Sequence, residues 1–141
     1  MSEENKAIAR RFYSEVAGQA NLSLADELVA EDFVDHNPPG PDIAPGREGL
    51  KQVFTAFRSA FPDMKGTLND QVAEGDKVVS RLTFSGTHQG DYLGMPATGK
   101  SFSIEAVEIF RFEGGMIAER WGQADRIGMM QQLGLAPTAG E

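Results

Sequence analysis

The chain has 141 residues, of which 40% are hydrophobic and 24% charged, enough apolar content for one packed domain and too little length for a second. Thirteen Lys and Arg against twenty-one Asp and Glu leave a formal charge of −8, which argues against nucleic acid or an anionic membrane surface as the partner. The absence of cysteine removes disulfides, thiolate nucleophiles and zinc–thiolate sites, two histidines are too few for a histidine-rich metal centre, and no apolar run approaches the ~20 residues of a membrane span.

The opening residues, MSEENK, are polar and acidic, unlike a secretory signal, so the expectation is a cytoplasmic protein. From Glu3 to Ala17 the apolar residues Ile8, Phe12 and Val16 recur every four positions and predict a helix that Gly18 ends. A shorter helix follows, with Asn21 or Ser23 as its cap and Leu24 and Leu28 inward. Asp32 to Asn37 reads as a short extended piece leading into a stiff loop at Pro38, Pro39, Gly40 and Pro41. Pro45 and Gly46 open a third helix whose Leu50, Val53, Phe54, Phe57 and Phe61 share one face, and Pro62 stops it. After Met64 the period changes to two. Strands are predicted over 64–73, 77–87, 101–112 and 116–123, joined by turns at Glu74–Asp76 and Glu113–Gly115 and by a long loop over 88–100, so they run antiparallel. A last helix over 125–133 turns Ile127, Met130 and Leu133 inward, with Gly134 as its cap. Helices first and a meander of strands afterwards is an α+β pattern, with the helices on one face of an antiparallel sheet, in a single domain spanning 1–141.

Two carboxylates stand out. On the third predicted strand Phe102, Ile104, Ala106, Glu108, Phe110 and Phe112 share one face, and Glu108 alone is not apolar. A buried carboxylate without a partner is costly, so Glu108 requires a partner or a purpose unless the register leaves it solvated. Asp125 ends the last strand, where Trp121, Gln123 and Asp125 alternate onto one side. Asp125 reads equally as the N-cap of the final helix, and the two roles are compatible. His36, flanked by Asp35 and Asn37, is a candidate general base or a satisfied loop histidine. Arg81 points outward by parity, and His88 begins a loop. Val107 and Ile109, on the opposite face of the third strand, make a homodimer through the outer sheet face the expected assembly. The Gly-x-Ser-x-Gly elbow, the Walker loop and the dinucleotide glycine fingerprint are absent, and no metal-ligand spacing is found. No cofactor is therefore expected.

Several strings, FVDHNP (33–38), GREGL (46–50), AFPD (60–63), GTHQG (86–90), GMPATG (94–99), WGQAD (121–125) and QQLG (131–134), together resemble the SnoaL-like polyketide cyclases, or ester cyclases, of the NTF2-like fold. The resemblance covers nearly the whole chain and implies a cone-shaped α+β barrel. It also implies a cavity aspartate at the end of the last strand, matched by Asp125, as general acid and base in an intramolecular aldol closure. The family's pocket histidine on the preceding strand is best matched by Glu108, a departure that changes the charge facing the substrate. Limonene-epoxide-hydrolase-like relatives use an Asp–Arg–Asp arrangement whose nearest matches here, Arg81-x-Thr83 and Gln123, lack both acids. The resulting expectation is a cofactor-independent enzyme acting on a small apolar carbonyl compound, with an epoxide-hydrolase-like enzyme or a non-catalytic binding protein as alternatives. Asp125, Glu108 and His36 are its catalytic candidates, and Trp121, Gln123, Asp35, Phe110 and Ala106 its substrate contacts.

Overall fold

Apolar spacing of 3.6 over the first sixty residues and of 2 thereafter is realised as helices laid on a curved sheet. The computed structural model describes residues 2–18, 21–40 and 42–135. Helix α1 (Ser2–Arg11) runs into a π-helical turn over Phe12–Ala17, then a 3₁₀ turn (Leu22–Leu24), α2 (Ala25–Leu28), β1 (Val29–Asp35) and α3 (Gly46–Ala60). Strands β2 (Lys65–Glu74), β3 (Lys77–Thr87), β4 (Ser101–Glu113) and β5 (Met116–Ala124) precede α4 (Arg126–Gln132). The π-turn departs from the regular helix expected to Ala17. Its wider winding lets the consecutive Phe12 and Tyr13 both face inward beside Val16 and Ala17.

The sheet order is β1-β5-β4-β3-β2. Strands β2 to β5 form the antiparallel meander expected from their turns. The extended piece near Asp35 is a fifth strand, β1, which pairs parallel to β5. On β4, Phe102, Ile104, Ala106, Glu108, Phe110 and Phe112 are all buried, as alternation requires. In the core, Phe12, Tyr13 and Phe112 pack around Phe110, with the Tyr13 ring stacked on Phe110 at 5.5 Å. Burying a ring of this kind contributes about 1.5–3 kcal/mol. The second cluster holds Phe61, Tyr92, Phe102, Met129 and Leu133. Helix α4 thus turns Met129 and Leu133, four residues apart, inward. Of the three residues expected inward, Leu133 is buried and Met130 packs against this cluster, whereas Ile127 is 71% exposed, a correction to that one position.

One irregularity decides which side chains of β5 face the helices. Gly114 and Gly115, with φ of +60° and +79°, make the two-residue turn between β4 and β5. Regular pairing from Glu113↔Met116 would place Trp121 opposite Glu108, on the inner face. Instead β5 carries one extra residue, Ala118, between Phe112↔Ile117 and Arg111↔Glu119. That bulge reverses the alternation, so Arg120 pairs with Phe110 and Gly122 with Glu108 on the inner face, and Trp121 pairs with Ile109 on the outer one. No helix among the described residues is long and apolar enough to cross a membrane.

Candidate active site

Between the sheet and α3 lies a cavity of about 580 Å³, within the range of small-molecule sites. Its walls are mostly apolar, with Phe33, Phe54, Phe57, Phe84 and Ile104 among them, and exposed residues of the 38–45 loop edge its mouth. The ionisable groups it exposes are Tyr13, Asp35, Asp42, Glu108, Tyr92, Arg120 and Arg126.

Four of these groups form one hydrogen-bonded network. Arg120 donates through Nε (2.9 Å) and Nη2 (2.5 Å) to Glu108 Oε2, and through Nη1 to Asp35 Oδ1 (2.8 Å) and the Asn37 carbonyl (3.1 Å). Tyr13, brought inward by the π-turn, donates its hydroxyl to Glu108 Oε1 at 2.8 Å. Asn37 donates its backbone N–H to Asp35 Oδ1 (2.9 Å) and accepts one from Gly122 at Oδ1 (3.0 Å), tying the loop after β1 to β5. Gly122 is required here for space: a Cβ would lie 2.4 Å from Arg120 Nη2, under the guanidinium. Ser80, opposite Glu108 on β3, is buried, and its hydroxyl has no hydrogen-bond partner among the described residues.

The electrostatics follow from burial. Desolvation opposes the Arg120 charge, but Glu108 and Asp35 outweigh it and raise the guanidinium pKa above its ordinary value. Burial first, and the Glu108 carboxylate second, push the Tyr13 hydroxyl well above its ordinary 10.0. The folded state therefore keeps this proton where the unfolded chain releases it. The stabilisation is complete below about pH 10 and is lost as pH rises beyond it. Urea midpoints of the wild type are expected to fall from about pH 9 to pH 11, with a shallower decline in Tyr13→Phe. Parallel declines would remove Tyr13 from this linkage. At neutral pH the same variant leaves Glu108 Oε1 without its donor, at about 1–3 kcal/mol.

The two carboxylates differ in what remains available. Both oxygens of Glu108 are held by donors. Asp35 has Oδ1 held, while Oδ2 accepts no hydrogen bond among the described residues. Arg120 has five N–H groups and uses four, leaving one on Nη2. An unused acceptor and an unused donor thus sit on adjacent, mutually fixed groups that both line the apolar cavity.

The other expected site residues fall in different places. Asp125 is exposed and accepts from Gly128 N at 2.9 Å as the N-cap of α4. It does not line the cavity, because the bulge turns its side of β5 outward. Trp121 and His36 stack on each other at 4.7 Å outside the cavity, and His36 Nε2 meets Glu119 at 2.6 Å. That contact and the Arg111 bond depress the Glu119 carboxyl pKa. Phe110 lies in the core beneath Tyr13 and does not line the cavity. Gln123 is exposed at the rim, and Ala106 is part of the floor. Arg81 is exposed on the outer face. His88 is fully buried against Phe61, with Nδ1 accepting from Thr98 N, in a structural role. Sequence reasoning misses Arg120 and Tyr13 and places Asn37 only beside His36. The one readable signal for Arg120 is the partner that an inward Glu108 demands.

Helices covering one face of a curved five-stranded sheet, with a polar cluster inside an apolar hollow, define an NTF2-like α+β fold. TsrD from Streptomyces laurentii has the same fold, with a TM-score of 0.86 and 31% identity over 95% of this chain and 97% of its own. The family model of the SnoaL-like polyketide cyclases matches residues 7–133, and the chain belongs to that family, as an enzyme of the lyase or isomerase type. Similar curated proteins are the aklanonic acid methyl ester cyclase DnrD of Streptomyces peucetius and the nogalonic acid methyl ester cyclase of Streptomyces nogalater. The first is 31% identical over 77% of this chain and 72% of its own; the second is 28% identical over 77% and 82%.

Proposed function

We propose that this protein closes a ring in a polyketide-type carbonyl compound by an intramolecular aldol reaction, with Asp35 as the general base and Arg120 as the enolate-binding group. The observation that carries the reading is the free Asp35 Oδ2 beside the remaining Arg120 Nη2–H, both at the wall of an apolar cavity. Asp35 Oδ2 takes the proton from the carbon alpha to a carbonyl. The oxygen of that carbonyl, gaining charge, accepts the Arg120 N–H. The enolate carbon then bonds to a second carbonyl carbon of the same molecule, and the new alkoxide recovers the proton from Asp35. Glu108 holds Arg120 in place and Tyr13 holds Glu108; these are positioning roles.

The substrates in the relatives' names, the methyl esters of aklanonic and nogalonic acid, are the first compounds to assay. The expected result is ring closure, with deuterium from D₂O entering the alpha position of substrate not yet closed, through return of a solvent-exchanged proton from Asp35 to the enolate carbon. Incorporation without closure would mark an isomerase; neither event, with both esters bound, would defeat the reading. The carboxylate–guanidinium–carboxylate geometry of Asp35, Arg120 and Glu108 also favours a second reading, in which Asp35 activates water to open an epoxide. A labelled-water oxygen in a diol product would identify it.

For assembly, Val72, Val79, Ile109 and Trp121 lie in one register row across the outer face of β2, β3, β4 and β5, with Val107 beside them. Val72 and Val107 are exposed, an apolar patch that a second copy of the chain would cover. Sedimentation is expected to give a dimer at micromolar concentration and a monomer for Val107→Glu/Ile109→Lys. A monomeric wild type contradicts it.

A further inference from the structure

The main cavity shares a wall with a second hollow. A groove of about 150 Å³ lies beside α3, and Pro39, Gly40, Ile43, Val53, Phe57 and Tyr92 line both spaces. Of these, Tyr92 is the largest and is carried on a loop, with its ring 5.2 Å from Phe61 and 6.0 Å from Phe57. Tyr92 is 8% exposed.

The turn that carries it is built against local preference. Tyr92 and Met95 close a two-residue turn with paired 2.9 Å hydrogen bonds, and its central residues are Leu93 and Gly94. Leu93 has φ of +49°, in the left-handed region where a branched side chain costs on the order of 1–3 kcal/mol. It also leaves 59% of its surface in water. Glycine or asparagine would relax both penalties. What Leu93 adds is reach: its Cδ2 lies over Gly40 on the facing loop, 3.3 Å from where a Cβ of that residue would stand. The other non-glycine residue with positive φ among those described, Asp42 at +60°, sits on that same facing loop. Leu93 thus lines the groove and Asp42 lines the cavity, one on each side of the wall that the two spaces share.

We propose that Tyr92 sets the length of the substrate: its ring divides one apolar channel into two hollows, and Leu93 braces the turn against Gly40 so that the ring stays in the dividing position. The orientation of the substrate, with its carbonyl at Asp35 and Arg120 and its far end against Tyr92, rests on the function proposed above. The division itself does not. Substrates that end at the ring fit the 580 Å³ space alone, whereas a longer apolar tail must displace the ring into the groove.

The methyl and hexyl esters of 2-naphthoic acid, titrated by their fluorescence, test this without turnover. The wild type is expected to prefer the methyl ester. Tyr92→Ala should shift the hexyl-to-methyl affinity ratio by about tenfold toward hexyl. Tyr92→Phe, which keeps the ring, should retain the wild-type ratio, and Tyr92→Leu replaces Tyr92→Ala where that variant fails to fold. An unchanged ratio in the alanine or leucine variant overturns the proposal while leaving the acid–base chemistry standing. Failure of both esters to bind any of these proteins overturns it together with the apolar-site reading. Loss of the aldol assay with the ratio shift intact refutes only the chemistry.

Discussion

Asp35→Asn is expected to lower kcat/KM by about 10²–10⁴ while leaving KM and the fold nearly unchanged. The substitution is close to isosteric. Its amide oxygen can still accept from Arg120 Nη1 and from the Asn37 backbone, so the loop after β1 keeps its ties to β5. What disappears is the unpartnered carboxylate oxygen beside Arg120. A stability loss of about 1 kcal/mol follows from exchanging a charge-assisted bond for a neutral one. Deuterium uptake at the alpha carbon should fall with turnover, since both begin with the same proton abstraction. Asp125→Asn is the control. Asparagine caps a helix as well as aspartate does, and the position stands outside the cavity, so activity should stay within a few-fold of wild type. Full activity in Asp35→Asn, or its loss in Asp125→Asn alone, would return the chemistry to the end of β5.

The contrast between these two aspartates shows how far the sequence could be read. Helical and two-residue periods located α3 and the four strands of the meander, and alternation along β4 placed Glu108 inside among Phe102, Ile104, Ala106, Phe110 and Phe112. Those signals repeat over many residues, so one exception does not erase them. The facing of β5 depends on a single unpaired alanine, Ala118, which carries no distinguishing side chain. Without it, regular pairing turns Trp121, Gln123 and Asp125 inward and hides Arg120, an arginine that in isolation reads as surface. Tyr13 was concealed similarly, because a regular helix through Phe12 and Val16 turns it aside and only the π-turn brings it to Glu108. Asp35 is visible beside His36, but in the sequence β1 shows only as a short extended piece. Its parallel pairing with β5, Asp35↔Arg120, is a contact across 85 residues that no local pattern reports.

Glu108 and Arg120 should produce the largest stability effects in the molecule, and their combination should undo them. Their side chains are 9% and 21% exposed, so each charge is held largely out of water and depends on the other. Glu108→Leu leaves the guanidinium with Asp35 as its sole anion, and Arg120→Met leaves two carboxylates facing one another without a cation. Each single change is expected to cost about 3–5 kcal/mol in urea unfolding, because a charge that stays largely buried loses its nearest counter-ion. In the double variant Glu108→Leu/Arg120→Met the pair is gone, and Asp35 keeps the Asn37 N–H and its access to the cavity. Its stability should recover to within about 2 kcal/mol of wild type, a coupling well beyond additivity. Turnover should not recover, because the Arg120 donor is missing. Restored stability without restored activity would mean the pair is maintained for its position beside Asp35, since an apolar pair fills the same space at little cost. Single variants that lose less than about 1 kcal/mol would mean water reaches the pair freely. In that case the cavity lacks the low dielectric on which enolate stabilisation by Arg120 depends.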